Sequence, residues 1–323
     1  MEEEVHGIVI VGAGICGLAT ALALHRIHDV LQHEQGNKSV VVPVRGELRW
    51  LKRKDLIETM ANNIPPGAIR FSCHVTAIHP ANPGNQGAVL TTLDDTIVRA
   101  KALIGCDGSN SMVAKYLGLS PSKPAPCMLL RGLTRYPHGH PLGTSIWHPS
   151  VDATKDVHTM KDFVLEKLKD HCSEDIIEMV RDPDPESLIL LTKIWYRPPW
   201  QVMFSSFQKG TTTVAGDAMH VMGFYIGQGG SAALEDSIVL ARSLSRAAAG
   251  SGGRELCEKK ISAAMGEYVR ERRMRLVRLS LESFALRTML ATKSLLIKLA
   301  CFATVAVLGT KSNKHANYDC GRL

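Results

Sequence analysis

The chain opens on a run of β-branched and apolar residues, Ile8-Val9-Ile10-Val11, which breaks into Gly12-Ala13-Gly14-Ile15-Cys16-Gly17 and continues as an Ala/Leu-rich stretch from Leu18 to Leu24. A short continuous apolar run predicts a buried strand, and the stretch after it predicts a helix over 14–28. A second strand is expected over 39–42, ended by Pro43, and a second helix over 54–62, stopped by Pro65-Pro66-Gly67. Strands are expected over 68–78, 88–93 and 96–104, with Gly84 and Asp94-Asp95 in turns, then a short helix over 109–117 and a strand over 127–133. Residues 137–156, rich in Pro, Gly and His, have no period and read as loop. Helices follow over 157–170 and 174–181, and Asp182-Pro183-Asp184-Pro185 ends them. Strands over 188–195, 202–207 and 211–215 precede a long helix over 232–249, closed by Gly250-Ser251-Gly252-Gly253. A charged amphipathic helix over 254–287 leads into a basic, apolar tail. No internal repeat is present.

Length and composition refine this picture without changing it. With 323 residues, 45% of them hydrophobic, the chain has material for a core and for one large domain or two. Its eight cysteines (16, 73, 106, 127, 172, 257, 301, 320) are scattered without a C-x-x-C pair, which argues against a zinc site or a disulfide scaffold and for a reducing compartment. His138 and His140 fall in the 137–156 loop and read as loop residues rather than a metal site, so no metal is expected. The net charge of +7 is uneven: from Arg254 onward there are 14 Lys/Arg and 6 Asp/Glu, so the first 253 residues are near neutral. No aromatics interleave with these basic residues in a stacking pattern, which argues against a nucleic-acid partner. The acidic start, Met1-Glu2-Glu3-Glu4, runs straight into the first strand and resembles neither a signal nor a transit peptide, so a cytoplasmic location is expected. The stretch 288–310 is mostly apolar but carries Lys293 and Lys298, and its uncharged portion is 12 residues long (299–310). That is short of the roughly 20 apolar residues a spanning helix needs. Peripheral contact with an anionic membrane is therefore the expectation, against a tail packed on the protein.

The opening G-x-G-x-x-G has a reason for each glycine. Gly12 permits the tight turn, Gly14 lets a diphosphate approach the backbone, and Gly17 lets the helix pack on the strand. Free N–H groups at the helix start would hold the phosphates. Two further strand-loop-helix signals follow. One is Ile104-Gly105-Cys106-Asp107-Gly108-Ser109. The other is Ala215-Gly216-Asp217-Ala218-Met219-His220, continuing to Gly227-Gln228-Gly229-Gly230-Ser231-Ala232-Ala233-Leu234-Glu235-Asp236. Asp107 and Asp217 each fit a helix cap when taken singly. Three such signals in this order point instead to a dinucleotide site.

Together these motifs resemble the FAD-dependent aromatic-hydroxylase type of monooxygenase, and most closely its plant monooxygenase-like branch. Leu48-Arg49-Trp50-Leu51-Lys52-Arg53-Lys54-Asp55-Leu56 and Tyr318-Asp319-Cys320-Gly321-Arg322-Leu323 are similar to that branch as well. The resemblance covers nearly the whole chain. It implies an α/β fold: a Rossmann-type, aromatic-hydroxylase-like FAD-binding domain, a reduced β-sheet substrate domain and a C-terminal helical region. The implied division is a first FAD-binding segment over 1–125, a substrate domain over 126–200, a second FAD-binding segment with long helices over 201–287, and a tail over 288–323. By position, Gly12, Gly14 and Gly17 would surround the ADP diphosphate. Asp107 and Gly108 would sit near the flavin and the nicotinamide route. Gly216 and Asp217 would bind the ribityl-diphosphate region. Gly227, Gln228, Gly229 and Gly230 would line the flavin ring edge, and Arg53 would approach the cofactor from the second helix. In such enzymes NAD(P)H reduces the flavin, and one atom of O2 is delivered to a small organic substrate. The resemblance names no catalytic acid or base here.

The sequence also departs from that pattern. A Rossmann site places a carboxylate at the end of its second strand for the adenosine ribose. Here 39–42 runs into Pro43-Val44-Arg45, and Glu34 lies before the strand. Compared with the family, the second strand with its acid and the segment after it are missing, and so are substrate-domain strands between His140 and Val157. Val221 and Phe224-Tyr225 replace a proline-containing turn, and Ala114 stands where an arginine is usual. Two alternatives stay open beside the monooxygenase: a truncated, non-enzymatic relative that binds FAD weakly, and a membrane-associated flavin reductase.

Overall fold

The computed structural model describes residues 3–32, 52–81, 87–129, 162–163, 165–166, 168–170, 173–181, 192–249, 257–309 and 318–321. They divide into two compact units, one formed by Met1–Ser122 with Arg197–Leu323, the other by Lys123–Tyr196.

The first unit is built on a six-stranded mixed sheet. Strand β1 (Glu3–Val11) runs parallel to β4 (Ile97–Gly105), with Ile8 opposite Ala102 and Val11 opposite Gly105. The other side of β4 is shared. Its first half pairs antiparallel with β3 (Ala88–Thr92), which carries β2 (Val75–Pro80) beyond it. Its second half pairs parallel with β8 (Thr212–Val214), placing Gly105 opposite Val214, and β7 (Gln208–Lys209) folds back on β8. Ala102, Leu103 and Ile104 are fully buried, which is why this strand reads as a continuous apolar run.

The helices of this unit are α1 (Ile15–Gln32), α2 (Arg53–Asn62), α3 (Met112–Tyr116), α5 (Pro199–Phe204), α6 (Asp217–His220), α7 (Gly229–Ala249), α8 (Glu258–Ala291) and α9 (Leu295–Gly309). The 34-residue α8 buries Ile261, Met265, Tyr268, Arg272, Leu276 and Leu279, a spacing of three and four that lays one stripe on the core. Helix α2 packs on α1 through Leu18, Met60 and Ile64. The second unit pairs β5 (Lys123–Leu129) antiparallel with β6 (Thr192–Tyr196) and holds α4 (Glu174–Arg181), which buries Ile177 and Val180.

Two expected strands differ. The first half of the stretch 202–207 is helical and the rest irregular: Pro199 occupies the first turn of α5, where its missing N–H costs nothing, and Val202 turns inward at helical spacing. Arg273 donates to the carbonyls of Val202, Met203 and Ser205 at the end of this helix. The expected strand 68–78 begins only at Val75, because Ser72 takes φ 57°, in the left-handed region that a strand does not contain. The strand expected over 39–42, the loop 137–156 with His138 and His140, and Gly250–Gly253 lie outside the described residues.

Candidate functional site

Three parallel strands end at one level. Since Val11, Gly105 and Val214 are cross-strand neighbours, the three motif loops that follow them emerge side by side at the carboxyl edge of the sheet. The backbone ties them together: Cys106 N donates to Val11 O (2.7 Å) and Ala215 N to Gly105 O (2.9 Å).

Gly12 takes φ 107°, and a Cβ there would lie 2.4 Å from the Cys106 carbonyl oxygen. A Cβ on Gly17 would lie 1.8 Å from the Gly12 carbonyl oxygen. These two glycines therefore let β1, β4 and α1 close on one another. Gly216 does the same against Cys16, whose Sγ would be 2.9 Å from a Cβ. At Gly14, Gly108, Gly227, Gly229 and Gly230 an added Cβ would meet nothing within 4 Å. The candidate glycines thus separate into ones that hold the loops together and ones that face open space.

Two helices begin at the same place. Thr20 Oγ1 donates to the Cys16 carbonyl (2.8 Å) and lies 3.0 Å from Ser237 Oγ, while Ala23 is buried with Ala241. The contacts advance together along both chains, so α1 and α7 are parallel. Small residues on both sides (Cys16, Thr20 and Ala23 against Ala233, Ser237 and Ala241) allow the close approach. Parallel packing brings two N-termini, each with unpaired N–H groups and a positive dipole end, to one end of the pair. An anion is the natural ligand of such an end.

The aspartates differ from one another. Asp107 Oδ2 accepts from Met112 N (2.7 Å) and Val113 N (3.3 Å), tying its loop to the start of α3, while Ser111 Oγ accepts from Ala114 N (2.8 Å). Asp107 Oδ1 is buried with no partner among the described residues. Asp217 opens α6 with an exposed side chain. Arg53 is the exposed first residue of α2, and Gln228 lends its carbonyl to Ala232 N at the start of α7 (2.8 Å).

Behind these loops lies a buried ionic cluster that joins His220, Glu235 and Asp236 of the third motif to Arg272 and Arg275, which no motif contains. Asp236 is fully buried. Its Oδ2 accepts from Gly216 N (2.9 Å) and lies 2.6 Å from His220 Nε2, and its Oδ1 accepts from Arg272 Nε (2.7 Å). Arg272 also donates to Glu235 Oε2 (2.6 Å), and Arg275 to Glu235 Oε1 (2.7 Å). Both guanidinium groups lie 4.8 Å from the Tyr318 ring centroid. Burial alone would push the Asp236 carboxyl up, but His220 and Arg272 beside it outweigh burial and hold it below the usual range. Burial likewise opposes the Arg272 charge, and Asp236 and Glu235 more than offset it. The Cys16 thiol is pushed well up, first by its hydrogen bond with Cys106 and then by burial, so it stays protonated. The cluster fixes the backbone of the Gly216–His220 turn from behind and leaves Asp217 facing outward. A signal for it was present: Tyr268, Arg272, Leu276 and Leu279 share the buried stripe of α8, so Arg272 falls where a solvated face has no residue.

The opposite flank differs. Among the described residues no strand pairs with the outer edge of β1, and Val5 is 65% exposed. A cavity of about 1050 Å³ lies there, lined by residues that include Ile8, Gly12, Gly17, Leu18, His25 and Arg70. Residues 33–51, with Glu34 and the Pro43-Val44-Arg45 turn, lie outside the described residues.

The open glycine positions, the paired helix N-termini, the exposed Asp217 and the unpaired Asp107 oxygen fit the diphosphate and ribityl portion of a bound FAD. Among the described residues no group of His, Cys, Asp or Glu is placed to hold a metal ion.

Residues 155–273 match the family model of the FAD binding domain. Monooxygenase 1 of Arabidopsis thaliana is 36% identical, with 99% of this chain and 100% of the relative aligned. The alignment spans 399 positions against 323 residues here, so at least 76 positions lack a residue of this chain, and most of that difference is internal. Monooxygenase 2 of the same plant is 31% identical over 85% of this chain and 88% of its own length. Among solved structures, Klebsiella pneumoniae HpxO complexed with FAD and uric acid superposes with a TM-score of 0.70 at 18% identity, covering 99% of this chain and 98% of that one, which shows a shared fold.

Proposed function

The chain belongs to the FAD-dependent monooxygenase family, and on that footing we propose that it uses NAD(P)H and O2 to oxygenate a small organic substrate. The observation carrying this reading is the convergence of three strand ends and two parallel helix N-termini on one open point. Gly14 and the first turn of α1 would hold the diphosphate, with Gly12 and Gly17 shaping that turn. Asp217, presented by the Gly216 turn, would accept from the ribityl chain. The N-terminus of α7, with Gly227, Gln228, Gly229 and Gly230, would border the flavin ring. Asp107 and Gly108 would flank the approach of the nicotinamide, and Arg53 would reach the cofactor from α2. When bound, the flavin supplies the redox chemistry, taking electrons from the nicotinamide and activating O2. The protein's share is to bind, orient and exclude water. The Lys123–Tyr196 unit is the natural candidate for the reduced substrate domain.

The test is anaerobic mixing of FAD-loaded protein with NADPH or NADH, followed by air. Bleaching of the flavin band and its return with O2 uptake is the expected result. A chain that takes up no FAD at high micromolar concentration defeats the proposal. The sequence Pro43-Val44-Arg45, where a Rossmann strand would end in a carboxylate, supports a second reading, a relative that holds FAD weakly without turnover. FAD uptake with no nicotinamide-dependent bleaching selects that reading.

A further inference from the structure

Helix α9 is apolar at every position except Lys298 and Thr304, yet it is mostly exposed. Leu295, Leu296, Leu299, Phe302 and Val307 are each more than half exposed, Leu296 at 79%. Among its described side chains only Cys301 is buried. Thr304 returns its hydroxyl to the Ala300 carbonyl (2.9 Å), which removes a polar group from the surface. A helix apolar on every side belongs in a core or against lipid. Its other side chains are not in this protein's core.

Charge decides what covers it. Between Ser283 and Tyr318 the chain carries Arg287, Lys293, Lys298, Lys311 and Lys314 and no Asp or Glu. Two copies of this helix would set like charges against each other, whereas an anionic surface would meet only cations. Fifteen residues rise about 22 Å, short of a hydrocarbon core of about 30 Å. No described helix is long and apolar enough to cross a membrane.

We propose that α9 lies flat in the interface of an anionic membrane. Leu296, Leu299, Phe302 and Val307 enter the acyl boundary, while Lys293 and Lys298 extend their ammonium groups to the lipid phosphates and carboxylates.

The experiment is co-sedimentation of the full chain with vesicles of phosphatidylcholine alone or mixed with phosphatidylserine. Selective pelleting with the anionic vesicles, reversed by high salt, is expected. The double variant Lys293→Gln/Lys298→Gln should lower the partition coefficient by about fivefold per lysine. Leu296→Gln/Phe302→Gln should abolish pelleting while the circular dichroism spectrum stays unchanged. Equal behaviour with both vesicle types overturns the proposal, and so does pelleting that resists salt and carbonate. Sedimentation velocity gives the alternative outcome: a dimer that dissociates in Leu296→Gln/Phe302→Gln, without vesicle binding, assigns the face to a second copy.

Discussion

The two flanks of β4 are built to different standards. On the β8 side, the Gly216 turn is backed by His220, Asp236, Arg272 and Glu235, nearly all of them buried and each bonded to the next. On the β1 side, the sheet stops among the described residues, Val5 and Ile8 are exposed, and a cavity runs beside the glycine turn. A dinucleotide is held at both ends, so this asymmetry bears on function. The turn that would grip the ribityl chain, at Gly216 and Asp217, is backed by this buried cluster. The half that would grip the adenosine ribose lacks, among the described residues, the carboxylate a Rossmann strand supplies.

The largest effect is expected where the backing is removed. Asp236→Ala strands Arg272 and His220 in a dry interior and should cost about 3–5 kcal/mol, read from the urea midpoint. A loss under about 1 kcal/mol would mean that the cluster behaves as a surface pair. Next come the paired glycines. Gly17→Ala puts a methyl group against the Gly12 carbonyl and should destabilise by about 1–3 kcal/mol or more. Gly14→Ala, facing open space, should leave the midpoint nearly unchanged while FAD affinity falls at least about tenfold, about 1.4 kcal/mol. Equal stability losses for the two would erase the distinction between holding and facing glycines.

Asp217→Ala should lower FAD affinity by about 1.5–3 kcal/mol, on the order of tenfold to a hundredfold, with the circular dichroism spectrum preserved. Collapse of that spectrum would make Asp217 a structural cap. Acid titration probes the cluster from the other direction. The folded Asp236 carboxyl lies below its unfolded value of about 3.9, so its contribution is complete above that pH and is lost as pH falls through the folded value. The wild-type urea midpoint should hold down to about pH 5 and drop below about pH 4, and in Asp236→Asn that component of the drop should vanish. The smallest effect belongs to the open edge. Val5→Lys should change stability by less than about 0.5 kcal/mol. A larger loss would show that the β1 edge is covered.

Much of this protein follows from local pattern. The apolar run ending in glycine made β4 legible, because a strand buried on both faces leaves a continuous apolar signature, whereas β1, found from a similar run, has Val5 and Ile8 exposed and Val9, Ile10 and Val11 half-buried. The G-x-G-x-x-G, the Asp107-Gly108 pair and the Gly216-Asp217 turn located the loops, since close backbone approach excludes side chains there. The stretch 39–42, which the sequence follows with Pro43-Val44-Arg45 rather than a carboxylate, lies outside the described residues. The helix over Pro199–Phe204 was not, because a short apolar run carries both periods until neighbours choose between them.

Tertiary structure alone decided how these pieces combine. No spacing in the sequence states that α1 and α7 run parallel with their N-termini together, because that depends on Cys16 and Thr20 meeting Ser237 across more than 200 residues. Nor does a run of arginines state which one is buried. Arg272 lies inside because α8 turns that position toward Asp236, and the pairing outweighs the desolvation. Local sequence sets which groups can hydrogen-bond or bury. Which charges become partners, and which glycines face a ligand or a carbonyl, is settled only when distant segments pack.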